Sequence, residues 1–135
     1  MYLAIFLLLT ISASRDLAMA LNSPYALSIN FDFLETAPSI ESFSDLIFVS
    51  IYSLVKTGPR LLKPIYKSIV AVLSNLAPYT KNLCKDGCEG LLYLVKMFAK
   101  KDFLLEKEDN AKSLCSLMEA VNYLIAYHDE TNHYL

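Results

Sequence analysis

From Ser42 to His128 the apolar residues return every three or four positions, and that period commits most of the chain to amphipathic helices. The run is punctuated at Thr57-Gly58-Pro59 and at Ala77-Pro78-Tyr79, where glycine and proline end one helix and start the next. Four helices are predicted, at 46–55, 60–76, about 80–100 and about 108–128. Ser42 followed by Asp45 approximates a capping box before the first of them. That first run is apolar on nearly every side and should be buried. In the second, Leu62, Ile65, Ile69, Leu73 and Leu76 form one stripe and Arg60, Lys63 and Lys67 the opposite face, with Pro64 within the first turns. The third aligns Leu83, Gly87, Gly90, Leu91, Leu94 and Phe98, and its two glycines imply close approach of another helix. The fourth aligns Leu114, Leu117, Met118, Val121, Leu124 and Ile125.

The fold class predicted from this pattern is all-α: antiparallel helical hairpins in an irregular armadillo- or HEAT-like α-solenoid, forming one helical region over 1–135. An extended loop is expected at about 12–42. Within it the segment 27–34 alternates like a strand, but no partner strand is evident. Residues 1–11 are almost wholly apolar. They are too few to span a bilayer, and two readings stand: a buried core helix, or a secretory signal cleaved near Ser14, although no basic residue precedes the run.

Composition narrows function. With 55% apolar and 19% charged residues, against a usual 45–50% and about 25%, the chain can bury enough surface to exclude disorder. A net charge of −2 and a pI near 5.6 argue against general nucleic-acid binding. Three glycines cannot build a glycine-rich phosphate loop. Charge is unevenly placed: nine basic residues face two acidic ones over 56–101, between two acidic flanks. The basic middle, through Lys56, Arg60, Lys63 and Lys67, is the candidate face for an anionic membrane surface or an acidic partner; the alternative is an ordinary solvated helix face.

Cys84 and Cys88 share one helix face, but only Cys115, His128 and His133 remain as further soft ligands, so buried free thiols are expected rather than zinc. His128 is expected to pack or cap the last helix. The carboxylates Asp32 and Glu35, and Glu106, Glu108 and Asp109, occupy ordinary loop and helix-start positions. No nucleophile elbow or paired-histidine metal motif occurs. Neither an enzyme nor a cofactor is expected.

Four stretches carry a resemblance. They are Leu21-Asn22-x-Pro24-Tyr25; Phe43-Ser44-Asp45-Leu46-Ile47; Leu76-Ala77-Pro78-Tyr79-Thr80-Lys81-Asn82-Leu83; and Leu117-x-x-x-Val121-Asn122-Tyr123-Leu124-Ile125-x-Tyr127. In order and spacing they resemble the dymeclin and high-temperature-induced dauer-formation protein family, on the dauer-formation branch. The resemblance implies a cytosolic helical scaffold, peripherally bound at Golgi membranes. Such a scaffold supports secretory-pathway vesicle trafficking and secretory granule formation through protein partners, without nucleic acid or a small-molecule substrate.

Members of that family are several times longer, so the chain is read as a fragment or truncated gene model. They typically begin Met-Gly and are myristoylated, whereas this chain begins Met1-Tyr2. The resemblance also favours the core-helix reading of 1–11. The alternative function is a small secreted or lumenal helical protein that binds an apolar ligand or partner. In either case the chain is expected to self-associate or to need detergent.

Overall fold

The computed structural model describes residues 2–25 and 40–128, apart from the side chains of Arg60 and His128. The strand-like segment at 27–34, the Asp32 and Glu35 pair and His133 lie outside the described residues. Among the described residues the regular structure is helical, with one isolated bridge between Pro24 and Ser42, so the fold is all-α.

The helices are α1 (Tyr2–Ser12), α2 (Arg15–Ala20), α3 (Phe43–Thr57), α4 (Pro59–Leu62), α5 (Tyr66–Leu76), α6 (Lys85–Phe98), α7 (Lys101–Glu106) and α8 (Glu108–His128). Single 3₁₀ turns occupy Lys63–Ile65 and Ala77–Tyr79. The principal packing joins α3 to α6, α5 to both α1 and α8, and α6 to α8. Neighbours in space are therefore mostly not neighbours in sequence, and this packing does not establish a regular stack of chain-adjacent hairpins.

α3 forms against its own composition. Ile47, Val49, Ile51 and Val55 are β-branched and lower its intrinsic helix propensity. Two things offset that. Its capping box is complete, with Ser42 and Asp45 each bonding the other's backbone N–H. Its apolar residues are also buried on most sides, with only Leu54 exposed among them. Gly58 and Pro59 end it as expected, and Gly58 N–H donates to the Leu54 carbonyl.

Several boundaries differ from the sequence expectation. The span 60–76 is not one helix. Pro64 has no N–H to give and its ring crowds the carbonyl four residues back, so the chain tightens into the 3₁₀ turn between α4 and α5. α6 starts at Lys85 rather than near Thr80, because Asn82 turns through left-handed backbone (φ 53°) and Cys84 caps the helix. The region 12–42 is not wholly extended either: Arg15-Asp16-Leu17-Ala18-Met19-Ala20, mostly good helix formers, closes α2 and buries Ala18. α7 adds a short turn that places Phe103 against Phe98, ring centroids 4.4 Å apart.

The core runs through α3, α5, α6 and α8. The predicted stripe on α6 is buried throughout, and on α5 the residues Ile69, Leu73 and Leu76 are buried. A Cβ built on Gly90 would stand 2.6 Å from the Cβ of Tyr52, so the two helices meet where only glycine fits. On α8 the stripe is narrower than expected: Leu117, Ala120 and Leu124 are buried, whereas Met118 and Ile125 are exposed. α1 is only half a core helix. It packs on α5, buries Ile5 and Ser12, and turns Leu3, Phe6 and Leu7 outward.

Candidate functional site

Three of the four sequence stretches that carry the resemblance meet at one junction, held by the side chain of Asn22, by main-chain bonds and by the buried carboxylate of Asp45 beside them. Asp45, in the first turn of α3, is fully buried. Its Oδ2 accepts the backbone N–H groups of Glu41 and Ser42, each at 3.1 Å. Its Oδ1 reaches across the chain and accepts the N–H of Cys84 at 2.7 Å. Cys84 is the N-cap of α6, so one negative charge faces the positive ends of two helices at once. Charge-assisted bonds to three N–H donors are what make a buried carboxylate tolerable.

Asn22 does a similar job at the other end of the same turn. Its Nδ2 donates to the carbonyls of Met19 (3.2 Å) and Tyr79 (2.6 Å), and its Oδ1 accepts the N–H of Lys81 at 2.9 Å. The backbone between Tyr79 and Cys84 is thus held at both ends, with left-handed Asn82 between the two anchors. Main-chain bonds draw the remaining strands of the junction together. Ser44 N–H donates to the Leu21 carbonyl (2.9 Å), Tyr25 N–H to the Glu41 carbonyl (2.8 Å), and the Tyr25 and Phe43 rings meet edge to face. Ser42 and Asp45 were legible from sequence as a local cap. The reach of Asp45 to Cys84 and of Asn22 to Tyr79 and Lys81 was not, because neither bond leaves a trace in local periodicity.

The thiols sit beside this junction. Burial pushes both Cys84 and Cys88 up to about 12, and the Asp45 carboxylate adds to the shift. Cys84 Sγ accepts the N–H of Gly87 at 3.3 Å. Thiols so held stay protonated at neutral pH and are poor nucleophiles and poor metal ligands. No group of three or more His, Cys, Asp or Glu gathers in a metal-holding arrangement among the described residues. Cys115 is exposed.

The candidate basic face divides. Lys63 Nζ contacts both oxygens of Glu106 at 2.9 Å, and Lys67 lies 3.9 Å from Asp109. Lys56 stands 5.7 Å from the centre of the Tyr52 ring. The side chain of Arg60 lies outside what is described. Asp109 is held below the ordinary carboxylate range, first by its hydrogen bond to Lys112 and then by the charges of Lys112 and Lys67. The face is therefore of mixed sign where α5 and the 3₁₀ turn before it meet α7 and α8. Among the described residues no helix is long and apolar enough to cross a membrane.

The chain is 32% identical over 127 residues to Protein HID1 of Dictyostelium discoideum, covering 94% of this chain and 14% of that protein. It is 27% identical over 132 residues to Protein HID1 of Homo sapiens, covering 98% of this chain and 16% of the relative. The chain thus spans about a sixth or less of the length of these relatives. No solved structure matches. The sequence signature described as High-temperature-induced dauer-formation protein matches residues 1–135, and the chain belongs to that family.

Proposed function

We propose that the chain is a non-enzymatic helical scaffold segment that acts at Golgi membranes, on the cytosolic side, in secretory-pathway vesicle trafficking and secretory granule formation. The observation that carries the proposal is the use made of the family-like stretches. The side chains of Asn22 and Asp45 bond the backbone of the turn at 79–84 and hold helices in place, which supports reading the segment as a scaffold. The chain belongs to the family described as High-temperature-induced dauer-formation protein, and the trafficking role is the expectation that the resemblance to that family carries. Protein partners are favoured over an anionic bilayer as the main contact, because Glu106 and Asp109 already answer Lys63 and Lys67. The packing of α1 on α5, with Asn75 Nδ2 donating to Ser12 Oγ at 3.2 Å, supports keeping residues 1–11 over cleaving them near Ser14.

The test is depletion of the protein in its own cells, with secretion of a cargo followed by pulse-chase and the chain located by microscopy. Slowed cargo release with the chain beside Golgi markers is the expected result. Unchanged secretion, or recovery of the chain from the medium with an N-terminus near Arg15, would overturn the proposal.

A further inference from the structure

α7 is held to the rest of the molecule chiefly through two of its own side chains. None of its six residues is buried, and no side chain caps its N-terminus. The residues that bound it, Lys100 (ψ 135°) and Lys107 (φ −150°, ψ 144°), are extended, so α7 is free to move as a unit without breaking a neighbouring helix. Phe103 stacks on Phe98 at 4.4 Å and lies 6.0 Å from the Tyr66 ring. One turn further on, both oxygens of Glu106 accept Lys63 Nζ at 2.9 Å. That pair is 48 and 39% exposed, a setting in which ion pairs are weak. Asn110, on α8, adds a hydrogen bond from its Nδ2 to the Phe103 carbonyl (2.6 Å).

α7 is also undercut on both flanks. A cleft of about 240 Å³ opens on the side of Pro59, Met97 and Lys100, and one of about 170 Å³ on the side of Pro64, Lys107 and Ser113. Lys63, Tyr66, Phe103 and Glu106 line both, so the contacts that hold α7 are also the partition between the clefts. Lifting α7 would merge them into one trough. Its floor would be the rings of Tyr66 and Phe98, and Lys63 would stand at its edge without Glu106.

The chemistry of a replacement is written in what α7 supplies: an aromatic ring and, three residues later on the same helix face, a carboxylate. A basic helix would set like charge against Lys63. An anionic lipid headgroup would answer Lys63 and leave the ring site empty. We propose that α7 is a displaceable strap over a docking trough, and that the competing occupant is an amphipathic helix of a partner protein with an aromatic residue at one position and Asp or Glu three positions on. While α7 is closed, Phe103 and Glu106 block the trough with the high effective concentration of a tethered segment, so the partner binds only as the strap yields. The inference does not rest on the trafficking reading.

Two measurements on the full chain test it. In native-state hydrogen exchange the Leu104 amide, bonded to the Lys100 carbonyl, should exchange at least about tenfold faster than the Leu91 and Leu94 amides of α6. Opening of α7 only together with α6 would overturn the proposal. In the second, a peptide of residues 99–107 is titrated to about 1 mM while the Met97 amide shift is followed by NMR. It should bind the Phe103→Ala/Glu106→Gln chain at least about tenfold more tightly than the parent chain, and the peptide carrying the same two changes should bind neither. Both side chains leave a helix with no buried residue, so the variant should keep the helical circular dichroism of the parent. No binding, equal affinity for the two chains, or equal binding of the altered peptide would overturn the proposal. So would a Met97 shift driven by phosphatidylserine vesicles, or by raising the concentration of the chain itself, with none from the peptide.

Discussion

At the scale of the residue, Asp45 carries the most weight for its size. Exchanging it for asparagine leaves a single acceptor oxygen for three converging N–H groups and points an amide at some of them. Asp45→Asn should cost about 3 kcal/mol of stability in urea melts, against about 1 kcal/mol for Ser42→Ala, which removes only the local cap. The thiols give a pH test with a definite sign. The folded chain keeps the Cys84 and Cys88 protons up to about 12, whereas an unfolded chain releases them near 9.0. Above pH 9 the unfolded state binds fewer protons than the folded one, so stability falls as pH rises from 9 toward 12 and is unaffected by these groups below 9. At pH 8 a thiol reagent should label Cys115 and spare the other two until the chain unfolds, as counted by mass spectrometry. Sequence alone shows Ser42 and Asp45 as a cap, since that motif is local. It is silent on which distant N–H the spare oxygen of Asp45 will meet.

Between residues and molecule stand the helices, and there legibility followed chain length and the presence of proline. α8, long and periodic, matches its predicted span, and α3 keeps its cap and its stop. α2 and α7 are six residues each and too short to show a 3.6-residue period, so they were hidden in what looked like loop. Pro64 was placed in a first turn that tolerates it, yet five residues after Pro59 it divides α4 from α5. Gly90 is the element-scale prediction. In an exposed helix Gly→Ala stabilises, but here the added methyl group would meet the Cβ of Tyr52 at 2.6 Å and wedge α6 from α3. Gly90→Ala should therefore destabilise by about 1–3 kcal/mol in thermal melts, while Gly58→Ala, whose nearest neighbours would lie at 3.8 Å, should be close to neutral.

For the whole molecule, an apolar content of 55% has two destinations. Part of it fills the core shared by α3, α5, α6 and α8, and part stands open on the outer face of α1 and along α8. The period of a helix shows that one side is apolar. It does not show whether the matching surface lies in the same chain or elsewhere, which is why Met118 and Ile125 were expected inside and are found outside. Asn22 and Asp45 tie three distant stretches together, and the stretches are expected to open as one cooperative unit. Native-state hydrogen exchange reads it directly at the amides of Ser42, Lys81 and Cys84. All three should open only with global unfolding, at the free energy of the α5 and α6 core, and Asp45→Asn should free the Cys84 amide. Exchange at Lys81 and Cys84 through low-energy local opening, while α5 and α6 stay protected, would contradict it.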